Sequence, residues 1–193
     1  MNTNIIILVA SEQEKQVLLH KDLYNMKGVD IIVTGYGSRN VIKAIREYAF
    51  DDIQIYNIGL CAGTEHVPTD TLINVTASTP GFNYGNFQQP IKLKLLSTAN
   101  AFPCVSAPGF IEDIKQFFPN CCYSPAYVVD MELYTIASYF NNVIGLKVVS
   151  DSGDLDDYLQ ACEDFDAFEG IRNQILELIK QNLFSIQYIN KEK

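Results

Sequence analysis

The sequence predicts an α/β fold, a three-layer sandwich in which helices cover both faces of a mostly parallel or mixed central sheet. Short, mostly apolar runs, at positions 4–10, 30–33, 53–58 and 143–149, are typical of strands buried on both faces. Segments with helical spacing of apolar residues lie between these runs, and this alternation indicates an α/β fold. With 193 residues and no visible linker or repeat, the chain is expected to form a single domain over residues 1–193.

The composition restricts the classes of partner. A formal net charge of -9 disfavours attraction to a nucleic-acid backbone or an anionic membrane. The apolar run at 5–10 is too short to cross a bilayer and lacks the basic flank of a secretion signal. We therefore expect a cytoplasmic protein that binds a small molecule, with no nucleic-acid or membrane partner.

Metal and nucleophile chemistry find little support in the sequence. The five cysteines lack the spacing of a disulfide framework or a zinc site, so we interpret them as reduced packing residues. His20 and His66 lack ligand spacing, and no serine occupies a nucleophile elbow. We expect no metal and no cofactor.

The first two strands each lead directly into a helix. Ser11 and Glu14 follow the first strand in the arrangement of a capping box, which predicts a helix through about residue 19. Glu14 is either the partner of that cap or a catalytic carboxylate. Residues 34–38 follow the second strand, and their two glycines expose backbone N–H groups before a helix at 41–48.

The middle of the chain alternates strands with irregular segments. The third strand ends in small residues at 57–63, where a backbone can approach a ligand closely. A fourth strand is predicted at 71–77, a loop or lid rich in Gly, Pro and aromatics at 78–90, and a further strand at 91–96 that leads to Phe102. A short helix is predicted at 110–118.

Carboxylates stand at the ends of two later strands. An extended run at 126–129 delivers Asp130, Met131 and Glu132 to the start of a helix, and the strand at 143–149 ends on Ser150 and Asp151. These acids either belong to a functional site or simply favour helix starts, with Asp151 capping the next helix. An amphipathic terminal helix is predicted at 158–183, and the tail from residue 187 is expected to fray.

One edge of the predicted sheet collects these groups. In open α/β sheets, ligands bind beyond the carboxyl ends of the strands. Glycines, an aromatic side chain and three carboxylates are expected there, in residues 10–14, 35–38, 59–63, 100–102, 131–132 and 150–151.

The motifs at this edge resemble those of the nucleoside phosphorylase superfamily, and within it the bacterial 5′-methylthioadenosine/S-adenosylhomocysteine nucleosidases. The most specific matches are residues 128–132 (Val-Val-Asp-Met-Glu), similar to the family's E-M-E ribose motif, and residues 148–151 (Val-Val-Ser-Asp), similar to its I-S-D motif. Weaker matches lie at 10–14, 34–37, 57–63 and 98–102, the last against S-G-D-x-F. The resemblance implies a phosphorylase/hydrolase-like fold.

The resemblance also implies roles for individual residues. Asp151 would donate a proton to the departing purine, and Glu14 would position or deprotonate the attacking water. Glu132 would hold the ribose hydroxyls. The remaining substrate-binding residues implied are Met131 beneath the sugar, Phe102 stacked on the base, Ser150, Gly37 and Gly63.

These roles predict a nucleoside N-glycosidase that hydrolyses the N-glycosidic bond of a purine or purine-like nucleoside, such as 5′-methylthioadenosine or S-adenosylhomocysteine. The alternatives are a phosphate-dependent phosphorylase of the same fold and a non-catalytic nucleoside-binding protein. Phosphorolysis is less favoured because the sequence has three arginines, of which only Arg39 follows a glycine turn. The sequence also departs from the family at Leu60, Asn100 and Lys147, where the family has Ser, Asp and Arg.

A homodimer is expected from the resemblance and from the aromatic residues Phe82, Tyr84 and Phe87, because an exposed aromatic patch usually needs a partner.

Overall fold

The computed structural model describes residues 5–46, 53–81, 89–96, 99–118, 121 and 123–189. Within these ranges the strands are β1 Ile5–Val9, β2 Val29–Val33, β3 Gln54–Gly63, β4 Leu72–Pro80, β5 Ile91–Lys92, β6 Ala101–Ser106, β7 Val128–Asp130 and β8 Val143–Asp151. The α-helices are α1 Glu12–Leu18, α2 Ser38–Ile45, α3 Ile114–Phe117, α4 Leu133–Tyr139, α5 Leu155–Glu163 and α6 Glu169–Ile189, and a 3-10 helix spans Lys21–Asn25.

The strands form one mixed sheet in the order β2-β1-β3-β7-β6-β4-β5, and β8 pairs with both β3 and β4. Strands β2, β1, β3 and β8 run parallel to one another, whereas β8 and β4 are antiparallel. Because β8 joins β3 to β4, the strands β3, β7, β6, β4 and β8 close into a ring. The sequence patterns did not predict this closure.

Helices cover both faces of the sheet. On one face, side chains of α1, α5 and α6 such as Leu18, Cys162 and Ile175 pack against β1 and β3. On the other face, side chains of α2 and α4 such as Val41 and Ile136 pack against the same strands. All five residues of β1 are buried, which explains its uninterrupted apolar sequence. The predicted α/β sandwich with a mixed sheet is therefore confirmed.

Several predicted element boundaries are wrong. The strand predicted at 91–96 is only two residues long, and Phe102 lies near the start of β6 rather than at the end of a strand. The helix predicted at 110–118 is limited to α3, and the terminal helix is divided into α5 and α6 around residues 164–168. Helical spacing of apolar residues predicts a face, but it does not reveal a break between two helices that share that face.

Some predictions fall on residues that the structure does not describe. These include most of the aromatic loop at 78–90, the end of the helix at 41–48 and the last residues of the tail. Among the described residues, no helix combines the length and the apolar character that a membrane span requires.

Candidate active site

A cavity of about 380 Å³ opens where β1, β3, β7 and β8 end. Three of these strands are parallel, so their carboxyl ends share one edge. Strand β7 runs antiparallel to β3, but its partners are Ala62 and Gly63, so it also ends beside the last residues of β3. The lining includes Glu14, Leu60, Cys61, Ala62, Val129, Asp130, Met131, Glu132 and Asp151, together with a group from later loops and helices.

Glu14 enters the cavity from the first turn of α1. Ser11 caps this helix by accepting a hydrogen bond from the Glu14 amide at 3.1 Å, as the capping box predicts. The Glu14 carboxylate does not complete the box, because it accepts hydrogen bonds from the Ala10 amide at 3.1 Å and the Leu60 amide at 3.2 Å. Burial raises the pKa of Glu14, while Lys147 and these amides oppose the increase. The carboxylate is thus held in the cavity rather than used to cap α1.

Lys147 does not line the cavity but is paired with Asp130, which does. Its Nζ atom is 2.8 Å from Asp130 Oδ2, and both side chains are 1% exposed. Burial alone would lower the pKa of Lys147, but the charges of Asp130 and Glu132 raise it, so the side chain is a cation. Asp130 also accepts hydrogen bonds from Ser106 Oγ at 2.6 Å and from the Leu133 amide at 2.9 Å. Asp130 therefore has a complete structural role.

Gly59 allows the cation and Glu14 to approach the strand closely. A Cβ atom at this position would lie 3.4 Å from Glu14 Oε2 and 3.5 Å from Lys147 Nζ. A longer side chain would displace one of them. The small residues at the end of β3 thus make room for charged groups of the protein.

Glu132 reaches from the start of α4 to the loop after β2. Its Oε1 atom accepts a hydrogen bond of 2.6 Å from the amide of Gly37, a residue with a φ of 79°. Glu132 makes no side-chain cap of its own helix. Burial and then the charge of Asp130 raise the pKa of Glu132 to about 8, while Lys147 and the Gly37 amide oppose the increase.

Asp151 ends β8 in a different environment. It accepts hydrogen bonds of 2.7 Å from Ser150 Oγ and 2.7 Å from the Gly153 amide. Asp154, and not Asp151, caps the next helix, because its side chain accepts from the amides of Asp156 and Asp157. Burial raises the pKa of Asp151, and the Ser150 and Gly153 hydrogen bonds oppose the increase.

The predicted substrate-binding residues differ in their positions. Met131 lines the cavity directly. Gly37 and Ser150 are not among the lining residues, but each donates a hydrogen bond to a lining carboxylate, Gly37 to Glu132 and Ser150 to Asp151. Gly63 is not a lining residue either, and a Cβ atom there would clash with Val149 at 2.7 Å. Gly63 therefore serves close packing between β3 and β8.

Phe102 lies outside the cavity, contrary to the prediction. It pairs with Val75 near the start of β6 and packs against the core on the α2 and α4 face. The aromatic residue that lines the cavity is Phe110, in the loop after β6. Residues 106–110 (Ser-Ala-Pro-Gly-Phe) also match the spacing of S-G-D-x-F, and Ser106 ends a strand. The two candidate matches, residues 98–102 and 106–110, differ in that only the second begins where a strand ends, and this difference identifies Phe110.

The mouth of the cavity is largely apolar. It is formed by Tyr36, Phe110, Leu155, Tyr158 and Leu159, which sequence analysis did not identify as site residues. Four of these side chains are substantially exposed to solvent: Tyr36 at 43%, Phe110 at 42%, Leu155 at 46% and Leu159 at 50%. Leu155 and Leu159 lie one helical turn apart on α5.

The arrangement favours a ligand with polar hydroxyl groups and a developing positive charge. Four carboxylates line one cavity, and of these Asp130 is paired with the buried cation, which leaves Glu14, Glu132 and Asp151 for a ligand. Within the described ranges, no group of three or more His, Cys, Asp or Glu side chains forms a metal site. Carboxylates held by backbone amides can stabilise a cation, accept hydrogen bonds from hydroxyls or transfer protons.

The sequence matches no family model, and no curated protein is significantly similar to it. The fold is similar to that of solved nucleosidases. A variant of a Chlamydia trachomatis MTAN bound to MTA has a TM-score of 0.70 and 14% identity, over 92% of this chain and 97% of that one. A Neisseria meningitidis 5′-methylthioadenosine/S-adenosylhomocysteine nucleosidase in complex with methylthio-immucillin-A has a TM-score of 0.70 and 17% identity, over 93% and 99%.

A putative nucleosidase of the same type from Francisella philomiragia has a TM-score of 0.67 and 15% identity, over 92% of this chain and 99% of that one. The chain therefore has the fold of these nucleosidases over nearly its whole length. This agreement confirms the structural resemblance that the motifs predicted.

Proposed function

We propose that the protein is a nucleoside N-glycosidase that hydrolyses the bond between the sugar and the base of a purine or purine-like nucleoside. The observation that carries this proposal is the convergence of Glu14, Glu132 and Asp151 on one cavity, each held by backbone amides or a neighbouring hydroxyl. The fold shared with MTA/SAH nucleosidases supports the same class of reaction.

The chemistry of N-glycoside cleavage assigns a different task to each carboxylate. Positive charge develops on the sugar ring as the bond breaks, while the base gains electrons. A protonated Asp151 donates to the base, and its pKa, raised by burial, favours the protonated form. Glu132 accepts hydrogen bonds from the sugar hydroxyls, with Met131 beside it.

Glu14 orients and deprotonates the attacking water. Its carboxylate is fixed at both oxygens by the amides of Ala10 and Leu60, so little reorganisation is needed during the reaction. Phe110 takes the position that the sequence assigned to Phe102, as the aromatic surface against the base.

The placement of the cations supports hydrolysis over phosphorolysis. None of the three arginines lines the cavity: Arg39 is exposed on α2, and Arg172 donates to the carbonyl oxygens of Val17 and Phe165. Lys147 is the buried cation nearest the site, and Asp130 neutralises it. The described lining therefore offers no unpaired cation to a phosphate dianion, whereas a neutral water needs none.

Release of free base tests this proposal. The purified protein is incubated with 5′-methylthioadenosine, S-adenosylhomocysteine, adenosine and inosine, each with and without phosphate, and the free base and the sugar product are separated by chromatography. We expect free sugar rather than sugar phosphate, at a rate independent of phosphate. A strictly phosphate-dependent release would support the phosphorylase instead, and nucleoside binding without release would support the non-catalytic alternative.

A further inference from the structure

The mouth of the cavity contains a hydrogen-bonded pair of tyrosines that the proposed mechanism does not use. Tyr158 Oη, on α5, donates to Tyr36 Oη, in the loop after β2, over 3.1 Å. Both residues line the cavity. The Tyr158 ring also contacts the ring of Phe110, with centroids 6.2 Å apart. We refer to Tyr36 and Tyr158 as the tyrosine pair.

The tyrosine pair lies beside the carboxylates that the proposed function assigns to the sugar. Tyr36 directly precedes Gly37, whose amide binds Glu132 at 2.6 Å. Tyr158 and Glu14 line the same cavity, and burial and then the charge of Glu14 raise the pKa of this tyrosine. In the proposed function, Glu132 holds the hydroxyls of the sugar ring and Glu14 acts on the water that attacks the ring. The sugar substituent that remains for the tyrosine pair is the group at C5′.

The pair offers polar groups in otherwise apolar surroundings. A phenol has one donor and two acceptor sites, and the bond between the two tyrosines uses the Tyr158 proton and one acceptor site of Tyr36. Tyr158 also hydrogen-bonds Cys162, so the groups that remain for a ligand are the Tyr36 proton and the second acceptor site of Tyr36. Leu155, Leu159 and Phe110 line the same cavity, and a hydrogen bond gains strength where apolar side chains limit access of water.

We propose that the tyrosine pair binds the 5′-hydroxyl of the substrate and selects nucleosides with an unmodified 5′-hydroxyl over those with a 5′-alkylthio group. This inference rests on the proposed N-glycosidase function, and it specifies the substrate class for that site. A hydroxyl both donates to and accepts from the tyrosines, whereas a thioether sulfur is a weak acceptor and cannot donate. A site built for a hydroxyl discriminates against an analogue without it because its polar groups then stay unpaired.

The test compares adenosine with 5′-methylthioadenosine, which differ only at C5′. The ratio of their kcat/KM values is measured for the wild type and for Tyr36→Phe and Tyr158→Phe. We expect the wild type to favour adenosine, and each variant to lower the ratio by about 3- to 10-fold, which corresponds to the loss of one hydrogen bond. The control is Tyr139→Phe, since Tyr139 is 58% exposed on α4 and is not a lining residue.

Three results would overturn this inference. They are a wild-type preference for 5′-methylthioadenosine, a ratio that the two variants leave unchanged, and an equal loss for both nucleosides. The last result would show that the pair only gates or stabilises the mouth. Melting temperatures matched to Tyr139→Phe establish that the variants are folded.

Equilibrium binding separates this inference from the proposed function. Dissociation constants of the same two nucleosides are measured by calorimetry for the wild type and Tyr158→Phe. If neither nucleoside is cleaved, the N-glycosidase proposal fails, and the ratio of dissociation constants still decides the role of the tyrosine pair. A ratio that falls in the variant supports recognition of the 5′-hydroxyl, and an unchanged ratio contradicts it.

Discussion

Two strand-to-helix junctions place carboxylates at the cavity. They differ in whether the carboxylate that stabilises the helix start comes before or after the one that faces the cavity. At the end of β7, Asp130 hydrogen-bonds the start of α4, and Glu132 faces the cavity two residues later. At the end of β8, Asp151 faces the cavity, and Asp154 caps α5 three residues later. Each junction thus has one structural carboxylate and one that is available to a ligand.

The two junctions differ in how their charge is compensated. The β7 junction includes a buried cation, since Lys147 lies 2.8 Å from Asp130 and its charge opposes the raised pKa of Glu132. At the β8 junction, the partners recorded for Asp151 are neutral donors, Ser150 Oγ and the Gly153 amide. The cation of the β7 junction is paired with Asp130, and burial raises the pKa of both cavity-facing carboxylates, Glu132 and Asp151. The comparison teaches that, at both junctions, burial favours the protonated form of the carboxylate that faces the cavity.

Replacing Asp151 is expected to give the largest effect on the reaction. The variant Asp151→Asn keeps the shape of the side chain but has no transferable proton, so base release should fall by about 10²- to 10⁴-fold. Single-turnover release of base measures this loss. Because Asp154 caps α5, the melting temperature should stay near that of the wild type. A rate close to wild type would remove Asp151 from the proposed mechanism.

Removing the cation of the β7 junction is expected to give the largest effect on stability. The variant Lys147→Met leaves Asp130 as a buried charge without its partner, so unfolding free energy should fall by about 3 to 5 kcal/mol. Urea denaturation measures it. The control is Lys15→Met, because the Lys15–Glu12 pair is partly exposed and such pairs contribute about 0 to 1 kcal/mol. Equal losses in the two variants would contradict a special role for the buried pair.

The raised pKa of Glu132 predicts that stability falls as pH rises. A carboxylate whose pKa is about 8 in the folded state, above its ordinary value of 4.5, binds its proton more tightly when folded. Its contribution is therefore present at low pH and is lost between about pH 4.5 and 8. The charges of Asp130 and Glu14 raise the pKa of Glu132, and the charge of Lys147 lowers it.

The measurement is the melting temperature at pH 5, 6.5 and 8 for the wild type and Glu132→Gln. We expect a smaller fall between pH 5 and 8 in the variant, because its side chain does not ionise. Parallel curves for the two proteins would assign the pH dependence to other groups.

Removing the helix cap at the β8 junction is expected to give the smallest effect. Asp154→Ala removes the acceptor of the Asp156 and Asp157 amides and should cost about 0.5 to 2 kcal/mol of stability. Asp154→Asn can still cap the helix and should lose less. Base release per folded molecule should stay unchanged in both variants, since Asp154 does not line the cavity. A large loss of rate in Asp154→Ala would show that the two carboxylates are not separated in function.

The expected homodimer stays a prediction. The aromatic residues on which it rests, Phe82, Tyr84 and Phe87, lie outside the described residues. Sedimentation at micromolar concentration measures the oligomeric state directly, and a monomer alone would contradict the expectation.

The sequence by itself determined the fold class and the chain positions of Glu14, Glu132 and Asp151. Apolar runs such as those of β1 and β8 are local patterns, because a strand buried on both faces needs apolar residues at nearly every position. The carboxylates follow strands or begin helices, so their positions could be read from the same patterns. The motif spacing around them then predicted the type of site.

Only the tertiary structure decided which partners these carboxylates have. The Glu132 contact with Gly37 joins residues 95 positions apart, and the tyrosine pair joins residues 122 positions apart. The choice of Phe110 over Phe102 depended on where β6 begins, which is fixed by its pairing with β4 and β7. Local sequence sets the propensity of a segment, whereas strand register and ring closure depend on contacts between distant segments. Those contacts determine the pKa of each carboxylate and the shape of the cavity.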